Sequence, residues 1–172
     1  DSYEAERAPH VHAFIDLEVR LSAIIQTTDP DAARARDARF AAGAEIFEYP
    51  APRLGPGVWQ GDAAPVAQVF PQPRLADGRL LDAAIGARWA VLGAPALLDA
   101  VSASTRRWWR WHDVAVRPAT DAALQDWLQR HGAAAVLLRP DRYIAGLASD
   151  AAGLDRLTLS LPGLTPPPPA AG

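Results

Sequence analysis

Proline decides what this chain can fold into. Between Tyr49 and Pro73 stand Pro50, Pro52, Pro56, Pro65, Pro71 and Pro73, and because each fixes φ and lacks an N–H, no long helix or central strand can run through the stretch. Regular structure must lie before it or after it. Before it, apolar residues recur at helical spacing; after it, short apolar runs alternate with amphipathic ones. The 172 residues therefore divide into a helical opening, residues 1–48, a proline-rich linker, 49–73, and an α/β remainder.

In the opening segment Ser2 is placed to cap a first helix, with Glu4 and Glu6 in its first turns. Val11, Phe14, Ile15, Leu21, Ile24 and Ile25 fall on one broad apolar face. Pro9 is expected to kink or split this helix. Asp29 as cap, Pro30 at the first helical position and Asp31 in the first turn open a second helix reaching about Ala42.

After the linker, Asp77-Gly78 is a hairpin-type turn, and Asp82 is placed to cap a short turn ending at Gly86. Strands are expected at 88–92, 113–116, 134–138 and 143–147. Helices are expected over 95–107, over 121–131 with Thr120 as cap and Leu124, Trp127 and Leu128 on one face, and from Ser149 or Asp150 toward Leu161. A helical crossover makes the first two strands parallel, and the short turn at Arg139-Pro140-Asp141 makes the last two antiparallel. The result is an α/β domain over 74–164 whose mixed four-stranded sheet resembles the thioredoxin-like layout. Redox members of that fold carry cysteines where the first strand meets the first helix; this chain has Gly93-Ala94-Pro95-Ala96 there. The tail, 165–172, with Pro166 to Pro169, is expected to be disordered.

Composition narrows function further. The chain has no cysteine, which removes thiol catalysis, thiolate zinc sites and disulfides together. Its formal charge of -3 provides no global attraction for nucleic acid or an anionic membrane. No apolar run approaches the roughly 18 residues of a membrane span, and no signal peptide is visible, so a cytoplasmic location is expected. The chain also has no methionine, which predicts that it is a piece of a longer one.

The motifs that could carry chemistry each meet a physical objection. Gly55-Pro56-Gly57 with Gly61 lacks the strand before and helix after that a pyrophosphate cradle needs. Gly61-Asp62-Ala63-Ala64 resembles the flavin-holding Gly-Asp-Ala-Ala-His stretch of class A flavoprotein monooxygenases, but Pro65 stands where the histidine belongs. His10 and His12 point to different helix faces and cannot chelate together, and His112 and His131 are isolated. Asp16 and Glu18 diverge in the same way. Ser22 and Ser160 have no His and Asp partners at triad spacing. Arg106-Arg107-Trp108-Trp109-Arg110-Trp111 reads as packing or a subunit interface, where Trp and Arg are enriched. Arg139-Pro140-Asp141-Arg142-Tyr143 reads as a structural turn, in which Arg142 pairs with Asp141 or with another chain.

The segment from Asp1 to His10, Asp-Ser-Tyr-Glu-Ala-Glu-Arg-Ala-Pro-His, is similar to the "SYexERrPh" segment that follows the flavin site in class A FAD-dependent aromatic hydroxylases. Pro71-Gln72-Pro73, the run from Leu80 to Gly93 and the run from Leu138 to Ala145 resemble the C-terminal region of the 3-(3-hydroxyphenyl)propionate hydroxylase group, collinear up to Leu161. The resemblance implies a parent monooxygenase that uses FAD, NAD(P)H and oxygen to hydroxylate a phenolic ring. It implies that 1–48 is the end of the FAD and substrate domain, with the missing N-terminal FAD domain as partner. In relatives the C-terminal domain supports stability and subunit contacts, so a homo-oligomer is expected. The glycine-rich flavin motifs of the family lie upstream, so no catalytic, cofactor-binding or metal-ligating residue is assigned in this segment, and it is expected to bind no cofactor and to be inactive alone. The alternative is an independent, redox-inactive thioredoxin-like interaction or dimerisation module.

Overall fold

The computed structural model describes residues 3–43, 51–161 and 164. Ser2, the 44–48 end of the helical segment, Pro50 and the 165–172 tail lie outside the described residues. The chain separates into two compact units, Asp1–Gly55 and Pro56–Gly172.

The first unit is built on α1, Tyr3–Ile25, and α2, Pro30–Ala41. Pro9 lies inside α1 without splitting it. Proline at position 9 has no N–H for the Ala5 carbonyl, and a second strand of chain approaches at that place. The Gly55 amide donates to the Glu6 carbonyl at 2.8 Å, and a Cβ on Gly55 would overlap the Ala5 carbonyl oxygen and meet the Pro9 ring at 3.1 Å. Only glycine allows that approach. The second helix opens as its sequence signals, with the Asp29 carboxylate accepting from the Asp31 and Ala32 amides at 3.0 and 2.7 Å. Arg36 ties it back to α1 by donating to the Ile24 carbonyl at 2.9 Å.

In the second unit, residues 60–70 run beside the sheet. Leu75 donates to Arg79 across the Asp77-Gly78 turn at 2.8 Å, with Gly78 at φ 83. The short helix α3, Leu81–Ile85, follows and stops at Gly86, φ 65. The sheet holds β1 (Ala90–Gly93), β2 (Ala115–Pro118), β3 (Ala135–Leu138) and β4 (Ile144–Ala148) in the order β2-β1-β3-β4. β1 and β2 are parallel, while β3 is antiparallel to both β1 and β4. The α/β class, the mixed four-stranded sheet and the strand directions agree with the sequence reading.

Three helix boundaries differ. The stretch expected as one helix over 95–107 is two, α4 (Pro95–Ala100) and α5 (Ala103–Trp111). They break at Val101-Ser102 because the Ser102 hydroxyl accepts from the Thr105 amide at 3.1 Å and starts a new N-terminus. Helix α6, Ala122–Arg130, is entered through Asp121 and not Thr120. Asp82 caps nothing: the residue before α3 is Leu80, and the Asp82 carboxylate is taken by Arg142. The last helix, α7 (Ala151–Leu159), does start at Asp150, whose carboxylate accepts from Gly153 at 2.6 Å.

The core follows the pleat. Val91, Ala135, Leu137 and Ala145 pack with Leu97 and Leu98 of α4, Trp108 and Trp109 of α5 and Leu154 and Leu157 of α7. Leu92, Val136, Leu138 and Ile144 alternate with them, are equally buried, and point to the other face. Phe70 and Trp127 stack at 4.5 Å. No helix among the described residues is long and apolar enough to cross a membrane.

The Gly55 contact can be tested alone. Gly55→Ala should lower the stability of the first unit by about 2 kcal/mol, since the added methyl meets backbone rather than a side chain able to move. Urea denaturation followed by circular dichroism reads this, and an unchanged midpoint would show that the approach is not constrained.

Candidate functional site

The Trp-Arg run lies on α5 and, with α4, walls an open groove of about 650 Å³ along β2, whose margin includes Pro95, Leu98, Val114, Val116 and Pro118. Trp108 and Trp109 point into the core and are 2% and 5% exposed, whereas Trp111 is 58% exposed. Trp89 meets Trp108 edge-on at 6.3 Å. The charged lining is of both signs, with Asp99, Arg106, Arg110 and Asp113. Arg106 donates to the Asp99 carbonyl, and Asp113 pairs with Arg88 at 3.3 Å.

Three of the four histidines lie against aromatic rings. His112 follows α5 and stacks on Trp108 at 4.2 Å; His131 follows α6 and stacks on Trp127 at 4.3 Å. Both pairs have the i, i+4 spacing that superimposes side chains on a helix, and each helix then turns off through a positive-φ residue, Asp113 at 48° or Gly132 at 59°. This Trp-x-x-x-His ending occurs twice and was readable in the sequence as a repeated spacing, although it was not singled out. His10 lies against Phe14 at 5.2 Å, and burial, with Arg7 nearby, lowers its pKa. His12 is exposed. No group of three or more His, Asp or Glu side chains among the described residues could hold a metal ion.

The remaining motifs also resolve into packing. No helix follows Gly57 or Gly61, so neither glycine stretch aims a helix N-terminus at a phosphate. Ser160 donates to the Arg156 carbonyl and accepts from Gln60. Asp16 and Glu18 are both exposed on α1. At the β3–β4 turn, Asp141 takes Arg139 in a two-point contact at 3.1 and 3.0 Å. Arg142, at φ 68, reaches away to Asp82 and to the Gly86 carbonyl. The expected Asp141–Arg142 pair is thus replaced by two pairs, because the left-handed backbone at Arg142 turns its side chain toward α3.

Sequence reasoning missed two carboxylates. Asp155 of α7 accepts from the Ser102 amide at 3.0 and 3.2 Å, fixing the start of α5. Asp121, 7% exposed, accepts from the Ala76 amide at 2.7 Å and from Arg117 at 3.0 Å. The Ala76 hydrogen bond, opposed by desolvation and aided by Arg117, holds the Asp121 carboxyl below the usual range. The i, i+4 spacing of Arg117 and Asp121 was the available signal; Ala76, far away in sequence, was not readable.

In the first unit, α1 bears a second groove of about 650 Å³ lined by His10, Val11, Phe14, Ile15, Glu18, Val19, Ser22, Ala23 and Gln26. Val11, Ile15, Val19 and Ile25 are 45%, 50%, 63% and 77% exposed. Three of these four belong to the apolar face that periodicity predicts, while Phe14, Leu21 and Ile24 of the same face are half-buried.

Comparison with known proteins places these features. The profile of the HcaD C-terminal domain matches residues 67–161. A 3-(3-hydroxy-phenyl)propionate/3-hydroxycinnamic acid hydroxylase of Mycobacterium sp. (strain JLS) is 30% identical over 190 residues, covering 85% of this chain and 33% of its own. A probable NADH-specific resorcinol 4-hydroxylase of Rhodococcus jostii (strain RHA1) is 27% identical, covering 99% of this chain and 35% of its own. Among solved structures, the OxyS anhydrotetracycline hydroxylase of Streptomyces rimosus superposes with a TM-score of 0.57 at 25% identity, over 99% of this chain and 36% of that one. The chain spans about a third of the length of the curated relatives it matches.

The matched span contains Asp121 and its partners. Asp121→Ala should cost about 2 kcal/mol, the scale of hydrogen bonds to a buried charge. A carboxyl with lowered pKa stabilises the fold above its unfolded value and loses that contribution as pH falls through the folded value, so the difference between wild type and variant should shrink below about pH 4. Urea titrations at neutral and acid pH measure this; a difference that grows on acidification would contradict the assignment.

Proposed function

Because the chain belongs to the HcaD C-terminal domain family, we propose that it is the C-terminal, non-catalytic region of a flavoprotein monooxygenase that hydroxylates phenolic rings with FAD, NAD(P)H and oxygen. The observation that carries this is the pairing of nearly full coverage of this chain with about a third of each relative's length. The names of both relatives specify phenolic substrates. The reading assigns residues 1–48 to the end of the FAD and substrate domain, 49–73 to a linker, 74–164 to a thioredoxin-like domain and 165–172 to a tail. The strand order β2-β1-β3-β4, with one parallel pair and an antiparallel hairpin, supports the thioredoxin-like assignment.

The described residues do not fit a flavin. A dinucleotide needs backbone amides and a helix terminus turned toward its pyrophosphate, and the glycine stretches at 55–57 and 61 open no helix. FAD and the nicotinamide cofactor therefore belong, in this reading, to the parent's N-terminal part, which is the partner of this segment and covers the exposed stripe of α1. The role left to the segment is stability and subunit contact within a cytoplasmic homo-oligomer.

The purified chain should be colourless, should not take up added FAD, and should not oxidise NADH or NADPH with a phenolic acid present. Stoichiometric yellow protein would overturn the reading. The α1 stripe adds a second readout: the chain should bind a hydrophobic dye, and Ile15→Glu with Val19→Glu should remove most of that signal. Unchanged dye binding in the double variant would place the sticky surface elsewhere.

A further inference from the structure

One flank of α5 has no role in the packing described above, and neither has the run Thr165-Pro166-Pro167-Pro168-Pro169. At about 100° per residue the sides of α5 separate cleanly. Thr105, Trp108 and Trp109 are buried against the core, and Arg106, Trp109 and Arg110 line the groove along β2. Ser104, Arg107 and Trp111 take the remaining flank, at i, i+3 and i+7. Because β2 is one edge of the sheet, while α7 packs on α5 and on β4 at the other edge, this flank is turned toward α7.

The two helices also finish at the same end of the sheet. Helix α5 leads into β2, whose first residue, Ala115, pairs with Ala90. Ser160, just past α7, accepts from the Gln60 side chain, while the Gln60 amide donates to the Ala145 carbonyl at 2.7 Å. Ala145 follows Ile144, which is in register with Leu138 and, through it, with Ala90. Leu161 then enters the core cluster that holds Trp108, and Leu164 packs against the same cluster. The run 165–169 lies outside the described residues, but the residue from which it departs is placed at the end of the domain where Arg107 and Trp111 stand.

The chemistry of flank and run is complementary. Trp111 presents an exposed ring, and the Arg107 Nε is buried with no hydrogen-bond partner among the described residues, a donor that lowers stability until an acceptor reaches it. A polyproline run has no N–H, offers only carbonyls, and holds a pre-set extended helix that loses little entropy on docking to aromatic side chains. Residues 165–172 carry no charged side chain, so Arg106 and Arg110 on the adjoining side do not oppose them. Five residues at about 3.1 Å each reach about 15 Å, more than the roughly 6 Å of helix from Arg107 to Trp111. Tethered directly after Leu164, the run meets the flank at an effective concentration on the order of millimolar. We propose that the Arg107–Trp111 flank of α5 is a polyproline-binding surface and that its occupant is the chain's own 165–169 run, with proline rings on Trp111 and carbonyls accepting from Arg107. Docked in this way the run straps α5 to α7 and covers the indole.

The tryptophan indoles report on this directly. In the 15N-labelled chain each of the six tryptophans contributes one indole N–H signal, and Trp111→Phe identifies that of Trp111. The Trp111 signal of the full chain should differ from that of a chain stopped after Leu164, and a Thr-Pro-Pro-Pro-Pro-Ala-Ala-Gly peptide added to the shortened chain should move it back. Pro166→Ser, Pro167→Gly, Pro168→Ser and Pro169→Gly together keep the length and remove the extended bias, so this variant should match the shortened chain. Arg107→Ala, checked for folding by circular dichroism, should do the same with the prolines intact. A Trp111 signal identical in the full, shortened and Ser-Gly chains would overturn the proposal. Movement confined to Trp59 or Trp89 would overturn the α5 flank as the seat. A Trp111 shift that fades on dilution would overturn the intrachain occupant and assign the surface to the run of another copy.

Discussion

The sheet is only four strands wide and its strands are four or five residues long, so its stability depends on how its edges are treated. At β4 the chain uses its own proline-rich stretch. Gln60 and Ala67 donate to Ala145 and Ile144 at 2.7 and 2.9 Å, Ile144 donates to Gln68 at 2.9 Å, and Phe70 donates to Arg142 at 2.9 Å. A segment that prolines bar from regular structure can still offer its remaining amides one at a time, and these fall where β4 needs partners. Val66, Ala67 and Phe70 then come down onto the sheet as core residues. From that placement follows the rest of the layer, since Phe70 receives Trp127, and Trp127 places α6.

The parts of the fold that were legible in the sequence are those governed by local chemistry. Asp29-Pro30-Asp31 and Asp150 start their helices as capping predicts, Asp77-Gly78 turns the chain, and the buried runs 90–93 and 135–138 are strands. What was not legible depends on partners distant in sequence. Thr120 is as good a cap on paper as Asp121, and the choice is made by Ala76 and Arg117, which hold the Asp121 carboxylate at the helix entrance. The break between α4 and α5 has a local signal in Ser102, but that amide is fixed by Asp155 of α7, more than fifty positions later. The stripe of α1 shows the opposite case. Its periodicity is a correct statement about helix formation and says nothing about what the face touches, which is why Ile15 and Val19 satisfy the pattern and remain exposed.

The candidate site was legible only as a set of exclusions. The imidazoles of His112 and His131 are used as lids on tryptophans at helix ends. The carboxylates of Asp121, Asp155 and Asp82 accept from backbone amides and guanidiniums. The groove along β2 is lined by apolar side chains with two arginines and two aspartates, whereas the groove on α1 is mostly apolar with His10 and Glu18 in its lining.

The resemblance to the family lies on parts of the chain that carry structural contacts. The two runs that carry the resemblance most clearly, 80–93 and 138–145, meet in space: Asp82 from the first takes Arg142 from the second, and Arg142 also reaches the Gly86 carbonyl. Between them they supply α3, β1, the β3–β4 turn and the first two residues of β4. Arg142 holds a left-handed backbone, which costs a non-glycine residue roughly 1 kcal/mol or more, and its side-chain bonds to Asp82 and to the Gly86 and Pro140 carbonyls offset that cost. A lost partner here leaves a charged group stranded beside a short sheet. The two runs are therefore joined through Arg142, where one substitution would remove several contacts at once.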